Sequence, residues 1–264
     1  MAAPRLIRTE GVVLRRHDLG EVDRIVTLYT RHLGKVRAVA KGIRRPTSKL
    51  GGHLELFTHS QILLARGRNL DVITQAETIS SFMGLRDDLW RASHAYYVAE
   101  VLDRLTVERE ENQALFSLLV TTLERVAMAR RPDQAVRLYE VQALDLLGYR
   151  PELRVCVQCR EPLAPDRMTF SPAAGGVLCA RCGDPRASEM PLTPNALKVL
   201  RLYQDGDWLT VSRLRIDDTL THQIEEVIAV YLRHVAENGF KSSEFVAVLR
   251  ANPSVPNAAA GRPT

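Results

Sequence analysis

The sequence predicts an α+β multidomain protein: an N-terminal five-stranded OB-type β-barrel, then an α-helical domain with a four-cysteine, zinc-ribbon-like insertion. Three observations predict it. Hydrophobicity alternates with period two through the first 80 residues, and it recurs every three or four residues after Ser80. Two CxxC pairs then interrupt the helical pattern, Cys156/Cys159 and Cys179/Cys182.

In the first part, strands are expected at residues 11–16, 24–30, 35–41, 53–64 and 71–76. Gly20, Leu33-Gly34, Gly51-Gly52 and Arg66-Gly67-Arg68-Asn69 supply the turns between them. Five short strands laid flat would expose two edges. A small closed barrel removes most of that edge, and barrels of this kind bind single strands across one face and its loops.

Beyond Ser80, Leu85, Leu89, Ala92, Tyr96, Ala99 and Leu102 mark a first amphipathic helix, and Leu115, Leu118, Leu119, Thr122 and Val126 a second. Pro132 opens a third, with Ala135, Leu138, Val141, Ala143 and Leu146 inward and Gly148 closing it. Thr193-Pro194 restarts helix as an N-cap followed by a first-turn proline. The last long helix is expected over 218–238, stopping at Gly239, with a disordered tail after Arg250. The expected organisation is thus a barrel over 1–80, helical segments over 81–150 and 191–250 flanking a metal module over 151–190, and a tail over 251–264.

Charge is distributed unevenly. The whole chain carries +5, but residues 1–80 hold 14 Lys/Arg against seven Asp/Glu, which leaves the remainder at −2. Residues 24–54 contain eight cations (Arg24, Arg31, Lys35, Arg37, Lys41, Arg44, Arg45, Lys49) and no acid. A solubilising surface normally mixes signs, so a single-signed run on a folded scaffold points to a polyanion such as nucleic acid. Strand phase divides the run. Val36, Ala38 and Ala40 face inward, Arg37, Val39 and Lys41 outward, and 41–49 forms a loop with four cations. Tyr29 and Phe57 are the sole aromatics in the first 80 residues, so stacking is sparse and binding is expected to be dominated by phosphate.

The pairs Cys156-Val-Gln-Cys159 and Cys179-Ala-Arg-Cys182 stand 19 residues apart, within the spacing of a four-thiolate zinc site. The competing readings are a redox pair, which wants a βαβ context absent here, and a structural disulfide, which a reducing compartment disfavours. Four thiolates leave no open coordination position, so Zn2+ would be structural.

The longest charge-free stretches, 112–123 and 168–180, are too short to span a bilayer, and no apolar segment follows a basic start. A cytoplasmic, nucleoid-associated protein with no membrane partner is expected. GxSxG, P-loop, GxGxxG and HExxH motifs are absent, and the seven histidines show no ligand spacing, so no enzyme is expected. Two alternatives stand beside a DNA-binding role. One is a metal-dependent nuclease using Asp87, Asp88, Glu108, Glu110 and Glu111; the other is an RNA-binding zinc-ribbon protein.

Three N-terminal stretches carry a family likeness: Gly11-Val-Val-Leu-Arg-Arg-His-Asp-Leu-Gly-Glu-Val-Asp-Arg24, Leu33-Gly-Lys-Val-Arg-Ala-Val-Ala-Lys-Gly-Ile-Arg-Arg-Pro46 and Arg66-Gly-Arg-Asn-Leu-Asp-Val-Ile-Thr-Gln-Ala-Glu77. With the helical segment and the Phe170-Ser-Pro…Gly-Gly…Cys179 insertion, the chain resembles the bacterial recombination mediators of the RecO family over nearly all of residues 5–250. The resemblance implies a protein of DNA repair and recombination that binds single- and double-stranded DNA and anneals complementary strands. It also implies work with RecR to load RecA onto DNA coated by single-stranded-DNA-binding protein (SSB), whose C-terminal tail is a further partner. Carried over by position, Arg15, Arg16, Arg24, Lys35, Arg37, Lys41, Arg44, Arg45 and Lys49 are the DNA-contact candidates. Some relatives lack the cysteines, so zinc is not required for the activity in general.

Overall fold

A computed structural model describes residues 6–184, 189–237 and 239–251. They fall into two compact units. One runs from the N-terminus to Pro132 and takes in the segment from Lys241 onward; the other is Asp133–Phe240.

The first unit is built on a closed barrel of five strands: β1 (Leu6–Leu19), β2 (Asp23–Thr30), β3 (Gly34–Ala40), β4 (His59–Ala65) and β5 (Asp71–Ser80), in the order β1-β2-β3-β5-β4. β1 closes it by pairing twice. Residues 6–12 lie against β4 and residues 11–19 against β2, and a bulge between Val13 and Arg15 lets the strand bend from one neighbour to the other. Val26, Leu28, Val36, Ala38, Ala40, Ile62, Leu64 and Ile73 fill the interior, the inward set that period-two alternation assigns. The expected strand at 53–64 begins only at His59. Gly51–Leu54 instead forms a 3₁₀ turn, whose Leu54 is wholly buried in the barrel's apolar core.

β3 pairs with β5 only at Ala38/Asp71 and Val39/Val72, leaving its first half without a strand neighbour on the side away from β2. The connection between α1 (Leu89–Leu105) and α2 (Gln113–Met128) fills that gap. Arg109 N–H donates to the Lys35 carbonyl at 2.9 Å, and Arg109 also reaches the buried Asp71 carboxylate at 2.8 Å. Gly34 is where this connection comes closest. It has φ +60, and a Cβ there would lie 1.8 Å from the Glu110 carbonyl oxygen. Gly34→Ala is therefore expected to destabilise the unit by on the order of 3 kcal/mol, the upper end of ordinary substitutions, read as a lowered midpoint in denaturant.

Asp88 is the N-cap of α1, its carboxylate accepting from the Trp90 and Arg91 N–H groups. The inward set of α1 differs from the single stripe expected. Leu89 and Tyr96 are exposed, whereas Trp90, Tyr97, Val98 and Val101 are buried. The reason is that α1 packs on β1, α2 and α7 (Lys241–Ala251), so apolar residues are needed around most of its circumference. α7 is not among the helices expected from periodicity. It is held by Glu100 of α1, whose carboxylate accepts from the N–H groups of Lys241 and Ser242.

The second unit contains α3 (Pro132–Leu146), a three-stranded sheet of β6 (Met168–Ser171), β7 (Gly176–Cys179) and β8 (Met190–Leu192), then α4 (Pro194–Asp205), α5 (Trp208–Ser212) and α6 (Asp218–Val235). Thr193 caps α4 as expected, accepting from Ala196 N–H. α6 ends at Val235, short of the expected 238. Asn238 lies outside the described residues, as does the expected tail except Ala251, the last residue of α7. Among the described residues no helix is long and apolar enough to cross a membrane.

Candidate nucleic-acid interface and metal centre

The nine candidate cations do not form one uniform surface. Arg37 and Lys41 are exposed on the outer side of β3, opposite the buried Val36, Ala38 and Ala40, as the strand phase requires. The outer side of the β2–β3 pair is nonetheless largely closed. Thr27 and Tyr29 are buried, and Lys35 gives its ammonium to the backbone carbonyls of Asp103 (2.5 Å) and Thr106 (2.6 Å) and to the Asp103 carboxylate (3.1 Å). Lys35 therefore ties β3 to the end of α1.

Acids from outside the acid-free run meet several of the candidate cations. Asp103 also holds Arg15 at 2.7 Å, Glu55 holds Arg16 at 2.6 Å, and Glu108 stands 4.0 Å from Arg37. Asp18 takes both Arg24 (2.8 Å) and Arg44 (3.3 Å), while Arg31 pairs with Glu10 at 3.1 Å and lies over the Phe116 ring. Burial pushes the Asp103 carboxyl up, but Arg15 and Lys35 outweigh it and hold it below the usual carboxylate range. The hydrogen bond from Arg24 likewise lowers the pKa of Asp18.

Lys41, Arg45 and Lys49 are exposed and have no ion-pair partner among the described residues. The local backbone places them and Arg44. Gly42, at φ +63, donates its N–H to the Asp23 carboxylate at 2.7 Å, and Arg44 N–H donates to the Val22 carbonyl at 3.0 Å. Between them Ile43 is driven into the barrel core, so its neighbours must point outward. Arg45 and Ser48 continue the loop as successive turns. The loop thus presents four exposed cations, Lys41, Arg44, Arg45 and Lys49, on a backbone fixed at its first half. The alternating β1–β2 hairpin, which pairs Asp18 with Arg24 in register, was a readable signal for one of the neutralising acids. Asp103, 88 positions from Arg15, was not.

Because the Asp18 pairs are exposed, they compete only weakly with phosphate. Asp18→Asn is expected to raise DNA affinity several-fold and steepen its salt dependence by roughly 0.7 per cation released; an unchanged slope in a salt titration would separate Arg24 and Arg44 from the interface.

In the second unit the four cysteines converge. The Sγ atoms of Cys156, Cys159, Cys179 and Cys182 all lie within 4.8 Å of one another, and none forms a disulfide. Each pair sits in a tight turn. Cys156 N–H donates to Glu161 O and Arg160 N–H to Cys156 O, while Cys182 and Gly183 both donate to Cys179 O. The β6–β7 hairpin, turning at residues 172–175, brings the second pair round, as the spacing predicts. The Cys159–Cys179 sulfur separation of 3.8 Å matches the edge of a tetrahedron with metal–sulfur bonds near 2.3 Å, about 3.8 Å. Burial raises the Cys156 thiol, but backbone N–H groups of Cys159, Cys179 and Gln158 pull it down to about 6. Burial and its neighbouring sulfurs push Cys182 up to about 12. Four crowded sulfurs of this kind can bind a metal ion. Among the described residues no other group of three or more His, Cys, Asp or Glu converges in this way; Asp87, Asp88 and the acids at 108–111 do not assemble.

Comparison with known proteins gives a consistent match. The family model described as Recombination protein O N terminal matches residues 1–82, and Recombination protein O C terminal matches residues 86–244. Among curated relatives named DNA repair protein RecO, that of Roseiflexus sp. (strain RS-1) is 41% identical over 242 residues, 92% of this chain and 85% of its own length. That of Nocardioides sp. (strain ATCC BAA-499 / JS614) is 42% identical over 248 residues, covering 91% and 99%. A Dehalococcoides mccartyi protein (strain ATCC BAA-2100 / JCM 16839 / KCTC 5957 / BAV1) is 36% identical over 250 residues, covering 95% and 98%.

Proposed function

The chain belongs to the recombination protein O family, and from that premise we propose that it is a non-enzymatic mediator of DNA repair and recombination. In this reading it binds single- and double-stranded DNA, anneals complementary strands and, with RecR, helps load RecA onto SSB-coated single strands, engaging the SSB C-terminal tail. The observation that carries the DNA-binding part is the loop after β3, where Lys41, Arg44, Arg45 and Lys49 stand exposed on an anchored backbone.

Annealing needs no chemical step. It needs two phosphate backbones neutralised and bases left free to pair, which cations without base-reading groups supply. Arg24 joins the loop from the β1–β2 hairpin once DNA displaces Asp18, and Arg15, Arg16 and Arg37 form a flank that is half neutralised by acids. Lys35 is assigned a structural role. The metal is Zn2+, held by Cys156, Cys159, Cys179 and Cys182; its closed thiolate shell staples the β6–β7 module and takes no part in DNA chemistry.

The test is a fluorescence annealing assay with Mg2+ present, followed by a denaturing gel. Faster annealing of intact strands is expected. Cleaved strands, or no acceleration, would overturn the reading.

A further inference from the structure

The loop that carries the candidate cations spans one end of the barrel and has two sides. On one, Arg44 lies over the β1–β2 turn, against Asp18 (3.3 Å) and the Gly20 carbonyl (3.5 Å). On the other, Lys49, Leu50 and His53 overhang β4 and β5 and, with Arg8 of β1, wall a groove of about 670 Å3. We infer that this groove is a second single-strand nucleic-acid site, so that one barrel holds two strands at once, with Arg24, Lys41, Arg44 and Arg45 on the first side only and Lys49 shared at the junction of the two. The inference rests on the reading of the chain as an annealing protein.

Its construction supports that occupant. Sheet register lays Arg8, Leu63 and Gln75 in one row across β1, β4 and β5, and Glu10, Gln61 and Glu77 in the next. The floor is therefore an apolar strip at Leu63 flanked by amides and by Thr74. Amides and hydroxyls donate and accept, which suits base edges of any sequence. The rim carries exposed Arg8 and Lys49, without ion-pair partners among the described residues, against Glu77; Glu10 of the same row is taken up by Arg31 and His59.

The His53 ring is held in place. Thr78 N–H donates to its Nδ1 at 3.2 Å, which leaves Nε2–H as a donor, and Ser60 Oγ–H donates to its carbonyl at 2.7 Å. A peptide reading its backbone into the sheet is disfavoured, because β4 is paired on both sides and offers no strand edge. The volume lies within the ~300–1,000 Å3 of small-ligand sites, room for a nucleotide or two. The strand would continue past Ala65 onto the β4–β5 turn, where Arg66 and Arg68 are exposed.

The test uses the full chain and two non-complementary oligothymidylates with different fluorophores. Energy transfer between them reports co-occupancy. In the unaltered protein, photo-crosslinks from thio-substituted strands are expected in peptides from both 41–49 and 61–77. Arg8→Glu combined with Gln75→Glu, both at exposed positions, is expected to abolish co-occupancy and slow annealing at least tenfold, while the first strand binds within twofold of normal. Unchanged co-occupancy and annealing in this variant, or crosslinks confined to 41–49, would overturn the second site alone. Absence of annealing by the unaltered protein would instead overturn the reading on which it rests.

Discussion

Replacing Lys41, Arg44, Arg45 and Lys49 together by alanine is expected to lower affinity for single-stranded DNA by on the order of 10³-fold at 0.1 M salt. Each phosphate contact on a single strand contributes roughly 0.7 to the slope of log affinity against log salt, and about as many log units of affinity at that salt concentration; four contacts sum to about three. The same variant is expected to flatten the slope by roughly 2.8. The fold should be spared, because all four side chains are exposed while the buried anchor, Ile43, is untouched. A fluorescence-anisotropy titration at several salt concentrations reads both quantities. Unchanged affinity and slope would remove the loop from the interface. Lys35→Ala is the internal contrast, because its ammonium is taken up by Asp103 and Thr106. That change should lower stability and leave the salt slope nearly as it was.

Loss of the metal is expected to have the second large effect, confined to the second unit. Structural zinc bound by four thiolates contributes on the order of 10 kcal/mol to the folding of small modules. Among the described residues, the segment that carries the cysteines has only short strands, β6, β7 and β8, to order it otherwise. Cys156→Ser, or prolonged chelation, is expected to reduce bound zinc from about one ion per chain to none and to open residues 152–192 to proteolysis. DNA affinity should stay within about twofold, because the loop after β3 lies in the other unit. Unaltered protein that contains no zinc, or a Cys156→Ser chain that keeps its protease resistance, would contradict the assignment. A parallel collapse of DNA binding would show that the metal supports the interface as well.

Local chemistry made much of this molecule legible. Period-two alternation located the strands because each inward residue, such as Val36, Ala38 and Ala40, must be apolar in a barrel this small. The cysteine pairs declared their site because two-residue spacing in a tight turn aims both sulfurs at one point, and the observed separations fit an ion there. Thr193-Pro194 announced a helix start by chemistry confined to a single turn. The inward stripe of α1 was misread because a helix with neighbours on several sides has no single apolar phase. The start of β4 was misread because Leu54 is apolar for a buried 3₁₀ turn rather than for a strand.

Charge was the hardest property to read. By itself the sequence determined that residues 24–54 carry eight cations and no acid, and that β3 points some of them outward. Only the tertiary structure decided which of them stay available. Asp103 and Glu108, from α1 and the connection that fills the β3–β5 gap, come back onto the run, as do Glu10 and Asp18 from the segment before it. The physical reason is the range of the interactions. Strand phase and turn chemistry act between near neighbours in the chain, whereas Coulomb attraction acts between near neighbours in space, and folding alone brings Asp103 to Arg15 and Lys35.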